Sequence, residues 1–304
     1  MEKIIKVHSV NDYADYIGAP RLHPLVSVIH YDELEHCRHS LNNYDVYAIF
    51  IADEMLESLT YGRINYDLSR HALMCVAPGQ IGGKTDTGKE IHTKGWALLF
   101  APDLLHGTAL ESVMHRYSFF SYNTNEALLL NDEQRQSIVQ MLELIRNELS
   151  RSNEDDHTKC IVVAHISVVL ELIGRYYATQ MAMPQRNSAD ILTRFENLLK
   201  HYYDNGLQMQ HGLPTVKYCA QELFLSPNYF GDLVKQITGD SATNTIRRFV
   251  MQRASALLIA GHNVSETAET LGFEYPQHFT RQFKKYFGET PSTFQKRRIR
   301  REKV

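Results

Sequence analysis

The residues best suited to recognition chemistry lie near the C-terminus. Gln277, His278 and Arg281 follow Pro276, and Lys284 and Lys285 come within the next turn. At helical spacing they point away from Phe279, Phe283 and Phe287. An arginine guanidinium can pair bidentately with guanine O6 and N7, and a glutamine amide with adenine N6 and N7. A lysine ammonium suits a phosphate oxygen, a contact that sets register and affinity without reading sequence. An earlier group has the same design: Asn228, Tyr229 and Lys235 lie around an apolar stripe of Phe230, Leu233, Val234 and Ile237. Arg281, Gln277, His278, Asn228 and Tyr229 are therefore the expected base contacts. Lys235, Lys284 and Lys285 are the expected phosphate contacts.

Both groups sit on elements that repeat. Val216–Gly239 aligns with Val264–Gly288: Ala220 matches Ala268 and Leu223 matches Leu271, and after one extra residue Phe230 matches Phe279, Lys235 matches Lys284 and Gly239 matches Gly288. Each copy reads as a helix, a turn and a second helix. In the first copy, Thr215–Phe224 is the supporting helix; Ser226-Pro227 is a side-chain cap followed by proline at the first helical position, and Gly239 ends the second helix. In the second copy, Asn263 and Glu266 have capping-box spacing, Gly272 supplies the tight turn, and Pro276 opens the helix that Gly288 closes. Thr290-Pro291 starts one more helix, which runs into the basic tail Lys296–Lys303. Between the copies, residues 242–260 read as a single helix, about 28 Å long at ~1.5 Å per residue. Neighbouring major-groove faces on one side of B-DNA are ~34 Å apart, so this strut suits two reading helices set one turn apart.

Charge is distributed to match. Residues 190–304 carry 16 Lys+Arg against 11 Asp+Glu, whereas residues 1–189 carry 16 against 24. A basic C-terminal third on an otherwise acidic chain points to a polyanionic partner for that third. The four cysteines, Cys37, Cys75, Cys160 and Cys219, are scattered with no C-x-x-C pair, which indicates neither a disulfide framework nor a zinc site. The N-terminus lacks the apolar core of a signal peptide, and the most apolar run, Cys160–Gly174, falls short of the ~20 residues a bilayer requires. A cytoplasmic protein with no membrane partner is expected.

The first 125 residues read mainly as strands, after a brief helix signalled by Ser9 and Asp12. Strand-like runs are Leu25–Tyr31, Tyr44–Ile51, Ser58–Tyr61, Ala72–Val76, Trp96–Ala101 and Val113–Tyr122, a spacing that predicts a sandwich or small barrel. A helix opens near Asp132, and a second covers Thr158–Gln180 with apolar residues on most of its surface, so burial on two sides is expected. Residues 182–188 read as a linker and Ile191–Tyr203 as a further helix.

Residues 190–298 resemble the DNA-binding domain of the AraC/XylS family of bacterial transcription regulators. Ile259–Lys296 carries the resemblance, with A-x-x-L-G-F and F-x-R-Q-F-K-K-Y-F-G-x-T-P-S-x-F. It implies a seven-helix domain with two helix–turn–helix units, behind an effector-binding or dimerisation domain that is often a cupin-like barrel. The expected fold is α+β: a cupin-like β-barrel domain over 1–125, a helical pair that dimerises over 126–181, a linker over 182–189, and an all-α DNA-binding domain over 190–304. That domain holds units 215–239 and 263–288 joined by linker helix 242–260. Expected partners are double-stranded DNA, a small-molecule effector, a second copy of the chain and RNA polymerase. Trp96 and Tyr47 are the candidate effector contacts, with Tyr44, Tyr61 and Tyr66 as further aromatics. The first unit departs from the family at Gly231-Asp232, where an arginine is frequent, and at Phe224, where glycine is common.

No catalytic, metal-ligating or cofactor-binding residue is expected. No H-x-H, G-x-S-x-G, P-loop or G-x-G-x-x-G occurs, and His36-x-x-His39 lacks a carboxylate at matching spacing. Two alternatives stay open: a cupin-type enzyme with a DNA-binding appendage, and a regulator that takes no effector.

Overall fold

In the computed structural model the described residues are 4–35, 37–38, 40–53, 71–83, 90–91, 93–123, 126–151, 157–182 and 186–301. The expected strand Ser58–Tyr61, together with Tyr66, His36, His39 and His92, lies outside them. The chain divides into two compact units, Met1–Gln180 and Met181–Val304.

The first unit mixes sheet and helix. It runs β1 (Ile4–Val7), α1 (Val10–Ile17), β2 (Val26–His30), β3 (Cys37–Arg38), β4 (Leu41–Tyr44), β5 (Tyr47–Ala52), β6 (His71–Val76), β7 (Ile81–Gly83), β8 (Glu90–Ile91) and β9 (Gly95–Phe100). Then come α2 (Pro102–Leu105), α3 (Ala109–Val113), β10 (Leu128–Leu130), α4 (Asp132–Leu149) and α5 (Thr158–Ala182). Ser9 and Asp12 form the capping box of α1, and Asn131 with Gln134 forms that of α4.

The described strands do not close into a cupin-like barrel. They form a five-stranded sheet in the order β10-β6-β5-β9-β2, a three-stranded sheet β1-β4-β7 and a ribbon β3-β8. One apolar cluster draws on both larger sheets and on α1: Val7 and Tyr44 from the small sheet, Ile29, Ala48 and Leu99 from the large one, and Val10, Ala14 and Ile17 from the helix. Strand β9 is the spine. Every residue from Gly95 to Phe100 is buried, because β9 lies between β5 and β2 in the sheet and both its faces are covered.

One local expectation fails for tertiary reasons. Val113–Tyr122 is not a strand: its residues lie in α3 and in 3₁₀ turns at Met114–Arg116 and Ser118–Ser121. Its aromatics pack outward from the turn instead. Phe119 stacks on Tyr177 of α5 at 5.9 Å, and Phe120 meets the edge of Tyr47 at 5.0 Å. Burial of these rings outweighs the weak strand preference of their type. Strands β1 and β10 are short and join the sheets by pairing: β1 lies parallel to β4, and β10 antiparallel to β6.

Helix α5 has the length and apolar composition of a membrane-crossing helix. It is nevertheless a core element of this unit: Ile166, Val169, Leu170 and Ile173 are fully buried, and Tyr177 donates a hydrogen bond to the Glu126 carbonyl at 3.1 Å. Its other side is open, with Val168 46% exposed, so the chain itself covers only one of the two faces expected to be buried. Helix α4 is tied to the sheet by paired charges. Arg146 bonds Glu33, whose carboxyl it holds down at about 2, and Arg135 bonds Asp53 at the end of β5.

The second unit is all helix: α6 (Arg186–Asp204), α7 (Gln208–His211), α8 (Val216–Glu222), α9 (Pro227–Thr238), α10 (Ala242–Ile259), α11 (Val264–Thr270), α12 (Pro276–Phe287) and α13 (Pro291–Arg301). One continuous core joins them, with Phe195, Phe230, Met251, Ala254, Phe279 and Phe283 at its centre, each fully buried.

Candidate nucleic-acid interface

The repeat seen in the sequence is a repeat in three dimensions. Helices α8–α9 and α11–α12 are two helix–turn–helix units, and the matched positions share environments. Ala220 and Ala268 are both fully buried where the first helix of each pair meets its neighbours, and Phe230 and Phe279 are both fully buried under the second helix. Lys235 and Lys284 are both exposed, and Gly239 and Gly288 both end their helices in the left-handed conformation, at φ 73° and 78°. Thr215, Ser226 and Asn263 cap α8, α9 and α11 as their residue types predict, while Tyr275 gives α12 no side-chain cap.

On α12, Phe279 and Phe283 turn inward, and Gln277, His278, Arg281, Lys284 and Lys285 are all exposed on the outside. The structure thus brings the five sequence-nominated side chains of the second unit onto one accessible helix surface. One detail differs. Phe287 is only partly buried, and Tyr286 beside it is 40% exposed. On α9, Asn228 and Lys235 are exposed, whereas Tyr229 and Asp232 are half-buried. The position matching Arg281 is Asp232, so the first unit presents an acceptor where the second presents a long cation. Arg297 of the basic tail pairs with Glu289 and lies over the Phe294 ring, and so braces α13 against the end of α12.

The candidate effector residues do not come together. Tyr47 faces Phe100, and Trp96 faces Ile51, in the β5–β9 register. They share a sheet face but stand four residues apart along β9, about 13 Å at ~3.3 Å per residue. The Trp96 indole is 4% exposed and stacks on the His30 ring at 4.2 Å, and the Tyr47 ring lies between Phe100 and Phe120. Among the described residues no group of three or more His, Cys, Asp or Glu side chains is arranged to hold a metal ion.

The two turns explain a departure noted in the sequence. Gly272, at φ 84°, is pressed against α7: a Cβ there would lie 2.8 Å from the Gln208 carbonyl oxygen. Its counterpart Phe224 also has positive φ, 60°, but its side chain is 76% exposed. Only the second turn needs the missing side chain. The sequence places Gly272 in the tight turn between the helices but does not reveal this close approach. The signal available was the glycine itself, but its partners Tyr203 and Gln208 lie more than sixty residues away.

Known proteins carry related sequences. The family model described as a helix-turn-helix domain matches residues 219–297. These residues form an AraC-type helix–turn–helix domain. The uncharacterized transcriptional regulatory protein YesN of Bacillus subtilis (strain 168) is 37% identical over 87 residues, 27% of this chain and 24% of that protein. The chain therefore spans about a quarter of the length of this curated relative. The C-terminal domain of the two-component response regulator yesN from Fusobacterium nucleatum subsp. nucleatum ATCC 25586 is 25% identical, covering 33% of this chain and 96% of that one, with a TM-score of 0.29. ToxT from Vibrio cholerae is 14% identical, covering 89% of this chain and 98% of its own, with a TM-score of 0.30. The assignment of the AraC-type domain rests on the family match and on YesN.

A substitution pair tests the turn analysis. A non-glycine residue at positive φ costs roughly 1–2 kcal/mol, and glycine adds back about 0.4–1 kcal/mol of chain entropy. Phe224→Gly is therefore expected to stabilise by about 0.5–1 kcal/mol. Gly272→Ala, which meets both positive φ and a backbone clash, is expected to lose more than about 2 kcal/mol. Urea unfolding of the full chain checks both; equal effects would show that the turns are equivalent.

Proposed function

We propose that this chain is a sequence-specific DNA-binding transcription regulator whose second helix–turn–helix unit reads base edges through Arg281, with Gln277 and His278 beside it. The observation that carries this reading is the exposure of those side chains, with Lys284 and Lys285, on one face of α12 in a domain matched to the AraC type. Asn228 and Tyr229 are the proposed base contacts of the first unit. Lys235, Lys284 and Lys285 are the proposed phosphate contacts. The Asp232 carboxylate has no proton to donate to a phosphate oxygen but can accept from a cytosine amine, so the first unit contributes less cation-based readout than the second.

The N-terminal unit is proposed to sense a small molecule and to pair with a second copy, with RNA polymerase as the protein partner on DNA and the cytoplasm as the compartment. A ligand alters DNA binding only by favouring one arrangement of the chain over another. The exposed stripe of α5, centred on Val168 with Ala164 one turn away, is the proposed face for the second copy. The relatives are named as regulators, which favours this reading over that of an enzyme with an appended DNA-binding domain.

Three measurements follow. On a site selected from random DNA, Arg281→Ala is expected to lose about 1–3 kcal/mol and to relax preference at one base pair. Lys285→Ala is expected to weaken all sequences alike and to flatten the salt slope by about one. Equal losses from both on selected and random DNA would remove the assignment. Because Trp96 is the only tryptophan, its fluorescence reports on its stack with His30; an effector that binds there is expected to change the emission, and one that binds elsewhere leaves it unaltered. Val168→Glu is expected to shift the full chain from dimer to monomer in sedimentation velocity, and an unchanged mass would exclude this face.

A further inference from the structure

We infer that α7 and the end of α6 form a latch on the second helix–turn–helix unit, with Tyr203, Gln208 and Gly272 as positioning residues that fix the spacing of the two reading helices. The inference rests on the DNA-reading function proposed above, and deepens it.

The contacts are specific and concentrated at one place. The Tyr203 hydroxyl donates to the Leu271 carbonyl at 3.3 Å, and Gln208 Nε2 donates to the Thr270 carbonyl at 3.2 Å. Those carbonyls end α11, and Gly272 follows them directly. The Gln208 backbone fits against Gly272 so closely that a Cβ would lie 2.8 Å from its carbonyl oxygen and 3.0 Å from its own Cβ. Tyr203 and Gln208 are both buried, at 6% and 7% exposure. The Tyr202 hydroxyl donates to the Gly212 carbonyl at 2.9 Å and holds the far end of α7.

The latch adds a second route between the two helix–turn–helix units, beside the core they share through α10. Helix α6 packs on α8 and α9 of the first unit, while α7 reaches α11 of the second. From α10, Arg253 lies over the Tyr203 ring at 4.9 Å and pairs with Asp204 at 3.6 Å. The second turn is therefore held from the first unit by a route that bypasses the length of α10. In the matched position of the first turn, Phe224 is 76% exposed, whereas Gly272 meets the Gln208 backbone.

The consequence is intolerance of spacing. Inserting one base pair moves a half-site by about 3.4 Å and turns it by about 34°. A latched pair of helices cannot follow that change, and an unlatched pair can.

The experiment uses the full chain and two readouts. First, spin labels at Gln236→Cys on α9 and Lys284→Cys on α12, with Cys37→Ser and Cys160→Ser, report the distance between the reading helices without DNA. A narrow distribution is expected, broadened clearly by Tyr203→Phe with Gln208→Ala. Second, affinity is measured on the selected site and on the same site with one base pair inserted between its halves. The affinity ratio between these sites is expected to fall at least threefold in the double variant. Gln208→Ala alone, which removes one hydrogen bond and leaves Gly272 intact, is expected to shift both readouts in the same direction and guards against misfolding of the double variant. An unchanged distance distribution overturns the latch, as does an unchanged spacing penalty on a bipartite site. Failure of the unsubstituted chain to select any sequence overturns the DNA-reading function instead, and the distance measurement still judges the latch.

Discussion

The second unit depends on one physical constraint: two helix–turn–helix motifs share a single hydrophobic core instead of having one each. Helix α10 makes this possible. Its eighteen residues bury Ile246, Val250, Met251, Ala254 and Leu258, and these join the same cluster as Phe230 from the first motif and Phe279 from the second. A lone three-helix motif buries too little apolar surface to be robust, because the buried fraction falls steeply with size. Sharing a core gives each motif the support of the other. It also ties the orientation of α9 to that of α12, since a displacement of either opens voids in a close-packed interior. Stability and the geometry of recognition are thus set by the same side chains.

Against that shared frame, the differences between the copies carry information. Where packing is common, the residues agree: alanine at 220 and 268, phenylalanine at 230 and 279, left-handed glycine at 239 and 288. Where surroundings differ, the residues part. Gly272 faces α7 and can bear no side chain, whereas Phe224 faces solvent and accepts backbone strain. Asp232 and Arg281 occupy matched positions on the two outward faces with opposite charge. Shared positions report the fold, and divergent ones report what each motif touches. Gln208 fits this scheme: it is buried, and its Nε2 donates to the Thr270 carbonyl.

Legibility followed the range of the interaction. The helices of the second unit could be read because their caps are local: Ser226-Pro227 and Asn263 with Glu266 lie within four residues of what they cap. The exposed face of α12 was readable for the same reason, since phenylalanines at 279 and 283 set the inward direction by periodicity alone. The first unit was legible only in part. Strands β2, β5, β6 and β9 announce themselves through apolar and β-branched runs, but β1 and β10 form only because distant strands pair with them. Residues 113–122 look like a strand, yet aromatic contacts with α5 and β5 hold them in turns. That the described strands form open sheets in place of a barrel is likewise a long-range outcome, set by strand pairing that no local pattern encodes. The placement of Trp96 against His30 belongs to the same class.

The acidic first unit and basic second unit then have a mechanical reading. Electrostatic attraction to phosphate is long-ranged but indifferent to sequence, so charge brings the second unit to DNA without choosing a site. Choice requires two sets of base contacts to be satisfied at once, and a flexible joint would oblige the protein to order itself each time it bound. The shared core and the α7 contact meet that ordering cost during folding, before DNA is met. Rigidity of this kind favours a site whose halves have the right separation over one whose halves merely have the right bases. On the proposed reading, discrimination lies in the spacing as well as in Arg281, and Tyr203, Gln208 and Gly272, which would set that spacing, need never touch a base.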